Sequence, residues 1–291
     1  MAGQNYLLVS DFDGTIADTA ANPSGVGVIQ AYEYAVGCVF GEEGLSLYQM
    51  LGGLRNRAPG EVAIELLGMR PEFEQEAMAR IEPDILPSLR GRRTRSVIAE
   101  MLVHYKLELL MREIGLEWPP LCTGFACFAE AIERFAKATF EIAIISSGHD
   151  DFIKRTNGLH CIPCSLMVTD DEMRTRRYPV DPTKRVKPAP FGFNLLVRRW
   201  LAAGPARDRS RVIYFGDDPN KDGGLAINAG VPFGLFNNGS KRGVEQYHFP
   251  TGSFEFSDWS VVAEFIVNRQ NDFREGRPCS QIFGNFARGQ R

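Results

Sequence analysis

Leu7-Leu8-Val9-Ser10-Asp11-Phe12-Asp13-Gly14-Thr15 decides how the rest of the chain is read, because an apolar run delivers two carboxylates, one residue apart, into a glycine-containing turn. In a strand, side chains at i and i+2 leave the same face, so Asp11 and Asp13 converge at the strand end where the backbone is still extended. Two carboxylates that close repel each other unless a cation or a proton shares the site. The pair therefore points to a bound metal, a raised pKa, or both. Oxygen ligands favour Mg²⁺. The competing reading is an Asx-turn in which Asp and Gly only shape the backbone.

Further along, Ile142-Ala143-Ile144-Ile145 runs into Ser146-Ser147-Gly148, and Lys187-Pro188-Ala189-Pro190 precedes a helical stretch at 190–203. Val212-Ile213-Tyr214-Phe215-Gly216-Asp217-Asp218 is followed by Asp222. With Asp11-Phe12-Asp13-Gly14-Thr15 at their head, these segments resemble, in order and spacing, the four motifs of the haloacid dehalogenase (HAD) superfamily of phosphohydrolases. The resemblance implies an α/β fold, a Rossmann-like parallel sheet core with helices on both faces. It implies Asp11 as nucleophile, Asp13 as general acid/base, Ser146 as a hydrogen-bond donor to the phosphoryl group and Lys187 as the cation that neutralises phosphate and nucleophile. Thr15, Ser147 and Gly148 join the expected substrate-binding set. Mg²⁺ is the implied cofactor, with ligands drawn from Asp11, Asp13, Asp217, Asp218 and Asp222. Gly216-Asp217 fits the usual Gly-Asp pair, whereas the spacing to Asp222 and to Ala229-Gly230 fits Asp218 better, so both carboxylates stay candidates.

The same residues support this chemistry without the family. Phosphoryl transfer places negative charge on equatorial oxygens, so a site needs a metal, a cation and neutral donors around one nucleophile. Three apolar runs, at 6–10, 141–145 and 211–215, end in polar or acidic residues. In an open parallel sheet, sites form beyond the carboxyl ends of strands, which lets residues far apart in sequence meet. Each part also has a simpler reading. Ser-Ser-Gly after a strand is commonly a loop or helix cap, Lys184 competes with Lys187, and Asp217 or Asp218 could cap the helix that follows.

The gap between Thr15 and Ser146 far exceeds an ordinary βα connection, so something is inserted there. Helical patterns are expected at 25–40, 58–67, 71–82 and 94–114, the last ending at Gly115, before Trp118-Pro119-Pro120 breaks helix. The insertion resembles the helical cap that closes over the core site in this family. Expected boundaries are 1–17 and 125–270 for the catalytic core and 18–124 for the cap. Residues 271–291 are expected to form a C-terminal tail, held loosely or packed along the core. Val231 to Phe236 reads as a further strand, and 257–267 as a helix capped by Ser257 or Asp258.

Gly52-Gly53-Leu54-Arg55-Asn56-Arg57 is a basic, glycine-containing loop ahead of a helix start, where family caps carry a specificity loop. Arg55 or Arg57 is the candidate partner for a second anionic group on the substrate. The run Arg90, Arg92, Arg93, Arg95 reads as a solvated face, and the stripe Phe125, Phe128, Ile132, Phe135 as core packing.

The chain has 291 residues, 44% hydrophobic and 24% charged, with a net charge of −3. These are values of an ordinary globular chain, and they give no electrostatic reason to expect nucleic acid or an anionic membrane as partner. No export signal or membrane-length apolar stretch is present, so a cytoplasmic monomer or homodimer is expected. Of the six cysteines, Cys161 and Cys164 form a single CxxC without the second half a zinc site needs, and structural thiols are expected.

The expected activity is Mg²⁺-dependent hydrolysis of a small phosphorylated metabolite through an aspartyl-phosphate intermediate. The alternatives are a phosphomutase, a phosphonate hydrolase that would need a cap lysine, for which only Lys106 is available between 18 and 124, or a non-catalytic phosphate-binding regulator. Dehalogenases of the family lack the second Asp of the first motif, which argues against that branch.

Overall fold

The apolar run at 6–10 becomes the first strand of a six-stranded parallel sheet in the computed structural model. The model describes residues 5–20, 22, 24–54, 59–80, 93–115, 118–136, 139–174, 185–237 and 248–289. The chain divides into two units, Met1–Asp18 with Pro119–Arg291, and Thr19–Trp118. β1 (Asn5–Ser10) opens the first unit. The second unit contributes α1 (Val28–Met50), α2 (Pro59–Met69), α3 (Phe73–Arg80) and α4 (Thr94–Glu113). The first unit then resumes with α5 (Phe125–Ala131), β2 (Phe140–Ser146), α6 (Asp150–His160), β3 (Leu166–Thr169), α7 (Asp170–Arg174) and α8 (Phe191–Ala202). It ends with β4 (Arg207–Gly216), α9 (Asp222–Ala229), β5 (Phe233–Phe236), β6 (Phe254–Phe256), α10 (Trp259–Asn268), α11 (Gln270–Arg274) and α12 (Cys279–Gly289).

The strand order is β3-β2-β1-β4-β5-β6, with every neighbouring pair parallel. The strands are apolar almost throughout because helices cover both faces. Leu7, Val9, Ala143, Ile145, Val212 and Tyr214 turn to one face, where Phe193, Trp200 and Leu225 close over them. On the opposite face Tyr6 meets Phe273 edge-on at 5.0 Å, and Phe215 meets Trp259 at 4.9 Å. The core is thus the α/β Rossmann-like sheet expected from the motifs. From β1 the chain runs outward to β2 and β3, then returns for β4 on the other side of β1. That reversal opens a crevice at the carboxyl ends of β1 and β4.

β3 and β6 carried no periodic signal, being only four and three residues long. The chain rejoins the first unit at Pro119 rather than after residue 124. Its backbone already pairs there, with the Cys122 N–H donating to the Ile16 carbonyl (2.9 Å) and the Asp18 N–H to the Pro120 carbonyl (2.8 Å). The segment after 270 is helical and packs along the core. Phe273, Cys279, Ile282 and Phe283 are buried, and Phe283 stacks on Phe254 at 5.4 Å. Apolar residues at i, i+3 and i+4 in Cys279–Gly289 supply that buried face in a stretch whose overall composition is polar. α10 begins one residue after Asp258, whose side chain accepts from the Ser260 N–H at 2.8 Å.

The second unit is a bundle of helices around Val36, Phe40, Leu66, Phe73, Ile98 and Met101. α1 runs past the expected end at 40 because Gly41, at φ 71°, makes a kink and the helical run resumes to Met50. A Cβ on Gly41 would stand 2.3 Å from the Arg80 guanidinium, so the kink also provides a close approach. Lys106 is buried here, its ammonium 5.4 Å from the centre of the Tyr32 ring. Among the described residues no helix is long and apolar enough to cross a membrane. All six cysteines are free thiols, and Cys161 closes α6 in a left-handed conformation. Burial pushes the Cys164 thiol up to about 11.

Candidate active site

Asp11 still belongs to the sheet ladder, its N–H donating to the Phe215 carbonyl at 2.8 Å. The chain then turns sharply. The N–H groups of Ile16 and Ala17 both reach back to the Phe12 carbonyl, at 3.0 and 3.1 Å, and Gly14 takes φ 73°. Glycine is required there twice over, since a Cβ would also lie 2.6 Å from Asp217 Oδ2. Asp217 follows β4, which neighbours β1, and so its carboxylate packs against the turn that carries Asp11.

Ligand atoms of Asp11, Asp217 and Asp222 all lie within 4.8 Å of one another. Asp11 and Asp222 are buried, and three buried or half-buried carboxylates this close suit a hard divalent cation. The residues present therefore fit Mg²⁺. Asp218 does not join them. Its carboxylate accepts from the backbone N–H groups of Asn220 (2.9 Å) and Lys221 (3.1 Å) through Oδ1, which caps the turn entering α9. The side chain of Asp13 also lies outside the cluster, accepting from Ser146 Oγ at 3.3 Å. Asp11 thus meets the carboxylates that follow β4, while Asp13, close enough to act on Asp11 by charge, also meets Ser146 at the end of β2.

The Lys187 ammonium joins the two halves of the cluster, 2.6 Å from Asp11 Oδ1 and 2.8 Å from Asp222 Oδ1. The contact with Asp11 is a short, buried pairing of an ammonium with a carboxylate. Burial works against the Lys187 ammonium, but Asp11 and Asp222 outweigh it and carry its pKa above the ordinary lysine value. Burial, with Asp222 and Asp13 nearby, pushes the Asp11 carboxyl up, partly opposed by Lys187. A cation in the cluster acts in the opposite direction and favours the ionised carboxylate.

The described structure adds a residue that sequence reasoning missed. The buried Tyr214 hydroxyl donates to Asp222 Oδ1 at 2.7 Å and accepts from the Lys187 ammonium at 3.2 Å. Its phenol is pushed well above the ordinary value by burial and then by Asp222. The available signal was a phenol inside the otherwise apolar run Val212-Ile213-Tyr214-Phe215. Asp222 also accepts from the Asp218 N–H at 3.1 Å, so it is held from three sides.

On the β2 side, the Gly148 N–H donates to Ser146 Oγ at 2.9 Å, and Ser147 is exposed. Thr15 is buried. Its carbonyl accepts from Trp259 Nε1 at 2.8 Å, and its hydroxyl has no hydrogen-bond partner among the described residues. Arg55, Arg57 and Lys184 lie outside the described residues.

No family model matches the chain, and no curated protein matches it. Among solved structures it is similar to a 2-haloacid dehalogenase from Pseudomonas syringae pv. tomato DC3000, at 20% identity and a TM-score of 0.49 over 91% of this chain and 99% of that one. A HAD phosphatase from Thermococcus onnurineus is 15% identical, with a TM-score of 0.46 over 90% of this chain and 97% of that one. A HAD-superfamily hydrolase from Ehrlichia chaffeensis is 16% identical, with a TM-score of 0.47 over 92% and 98%.

Proposed function

We propose that this chain is a HAD-superfamily hydrolase of phosphate monoesters, dependent on Mg²⁺ and acting on a small phosphorylated metabolite. The observation that carries the reading is the meeting of Asp11 with Asp217, Asp222 and the Lys187 ammonium at the carboxyl ends of β1 and β4. Asp11 attacks phosphorus and forms an acyl-phosphate as the ester oxygen leaves, and Asp13 supplies the proton which that oxygen takes up. Asp13 then accepts a proton from the water that attacks the acyl-phosphate, which releases phosphate and restores Asp11. Ser146 donates to the phosphoryl oxygens, and Lys187 balances the charge that develops on them. Asp11, with Asp217 and Asp222, would hold the divalent ion, whose part is to neutralise the carboxylates and the approaching phosphate.

Two relatives are less well supported. Dehalogenases lack a counterpart of Asp13, which here accepts a hydrogen bond from Ser146. A phosphonate-cleaving enzyme needs a cap amine open to substrate, whereas the Lys106 ammonium is closed off among the helices over the Tyr32 ring. The test is turnover of p-nitrophenyl phosphate with Mg²⁺, with EDTA, and by Asp11→Asn. Hydrolysis that needs Mg²⁺ and disappears in Asp11→Asn, with circular dichroism unchanged, is the expected result. Full activity in chelator, or substantial activity in Asp11→Asn, refutes the mechanism.

A further inference from the structure

On the reading above, the turn Ser146–Gly148 carries the donors for the phosphoryl group, and beyond Ser146 little of its own backbone holds it. The Gly148 N–H bonds the Ser146 side chain, and the next regular bond is the Ile153 N–H to the His149 carbonyl at 3.0 Å, inside α6. What fixes the turn comes from the neighbouring strand. β3 runs beside β2 with Thr169 level with Ser146, and α7 starts directly after it. From α7, Asp171 reaches across with both oxygens, Oδ1 lying 3.0 Å from His149 Nδ1 and Oδ2 accepting from the Asp150 N–H at 2.9 Å. A carboxylate only accepts, so Nδ1 of His149 carries the proton in this pair. A second link runs from the Thr169 hydroxyl to the Asp150 carboxylate. His149 is 3% exposed, so its ring lies out of solvent beside Asp171.

We propose that His149 and Asp171 are positioning residues for the phosphoryl-binding turn. Tying the start of α6 to the end of β3, they set where Ser146 Oγ and the Gly148 N–H stand relative to Asp13 and Lys187. This inference rests on the reading of the site as a phosphohydrolase centre. Donors that act on a transferring group have to be held to a fraction of an ångström, and a misplacement of about 1 Å costs on the order of 10²-fold in rate.

The experiment compares Asp171→Ala, Asp171→Asn and His149→Asn with wild type in three readouts: kcat and KM on p-nitrophenyl phosphate, thermal midpoint, and hydrogen exchange of the 146–151 segment. Asp171 is a third exposed, so its replacement leaves the core packing intact. Asp171→Ala should lose roughly 10–100-fold in kcat, with KM changed by less than about 3-fold, and should exchange faster in 146–151 alone. Asp171→Asn keeps an acceptor for the Asp150 N–H and a polar partner for His149, and should recover most of both. His149→Asn, which places an amide donor near the Nδ1 position, should fall between them. Unchanged kcat in Asp171→Ala, equal losses in Asp171→Ala and Asp171→Asn, or unaltered exchange in 146–151 each overturn the proposal. If wild type turns over no ester, the functional reading fails, and the exchange measurement alone decides whether Asp171 holds the turn.

Discussion

Tyr214→Phe removes one oxygen atom from the centre of the site and leaves the ring in place. The lost hydroxyl donates to Asp222 at 2.7 Å and accepts from Lys187 at 3.2 Å, inside a region where Tyr214 is fully buried. A hydrogen bond to a charged group contributes about 1.5–3 kcal/mol. Asp222 keeps its other two partners, Lys187 at 2.8 Å and the Asp218 N–H at 3.1 Å, so the loss should stay near that of one such bond. At roughly 2–4 °C per kcal/mol for a unit of this size, the thermal midpoint should fall by about 3–12 °C. Lys187 retains both carboxylate contacts and therefore its place beside Asp11, so kcat on an aryl phosphate should drop by less than about tenfold. Differential scanning fluorimetry and steady-state kinetics on the same preparation read both quantities. An unchanged midpoint would refute the claim that the phenol braces the Lys187–Asp222 pair, and a loss of activity as deep as that of Asp11→Asn would show that Tyr214 acts in the chemistry itself.

On the reading that Arg55 or Arg57 pairs with a second anionic group of the natural substrate, replacing it with Ala should reduce kcat/KM for that substrate by roughly 10²-fold while p-nitrophenyl phosphate, which lacks such a group, is handled almost as before. A metabolite-phosphate screen followed by the two variants reads this, and equal loss on both substrates would point to folding instead. Stability should decline in alkali. Burial holds the thiols of Cys122 and Cys279 above their ordinary 9.0, and the phenols of Tyr6 and Tyr214 above 10.0. The unfolded chain therefore releases these protons first, so the native state keeps its advantage below about pH 9 and loses it progressively as pH rises. A thermal midpoint that stays flat from about pH 8 to about pH 10.5 would contradict that burial.

Much of the core was legible in the sequence because its signals are local. Apolar runs ending in polar groups gave β1, β2 and β4, and helix starts at Pro59 and Asp258 were marked by the residues that favour those positions. The long gap after Thr15 announced an inserted unit, and the order of Asp11, Ser146, Lys187 and Asp217 announced which strand ends would carry the site. The choice between Asp217 and Asp218 was not local. Both are acidic neighbours at a strand end, and only the approach of the Gly14 turn to Asp217, together with the backbone donors that take up Asp218, separates them. Nor could the sequence tell that Asp13 would turn to Ser146 while Asp11 met the carboxylates after β4, because side chains at a strand end follow the neighbouring strands once the ladder stops. Tyr214 and the His149–Asp171 pair were hidden for the same reason. Each joins residues that lie eight to twenty-seven positions apart in the chain and meet because β1, β2, β3 and β4 stand side by side with their carboxyl ends at one edge. Sequence thus determined which chemical groups this protein carries to the rim of its sheet, and the parallel stacking of the strands decided which of them face one another.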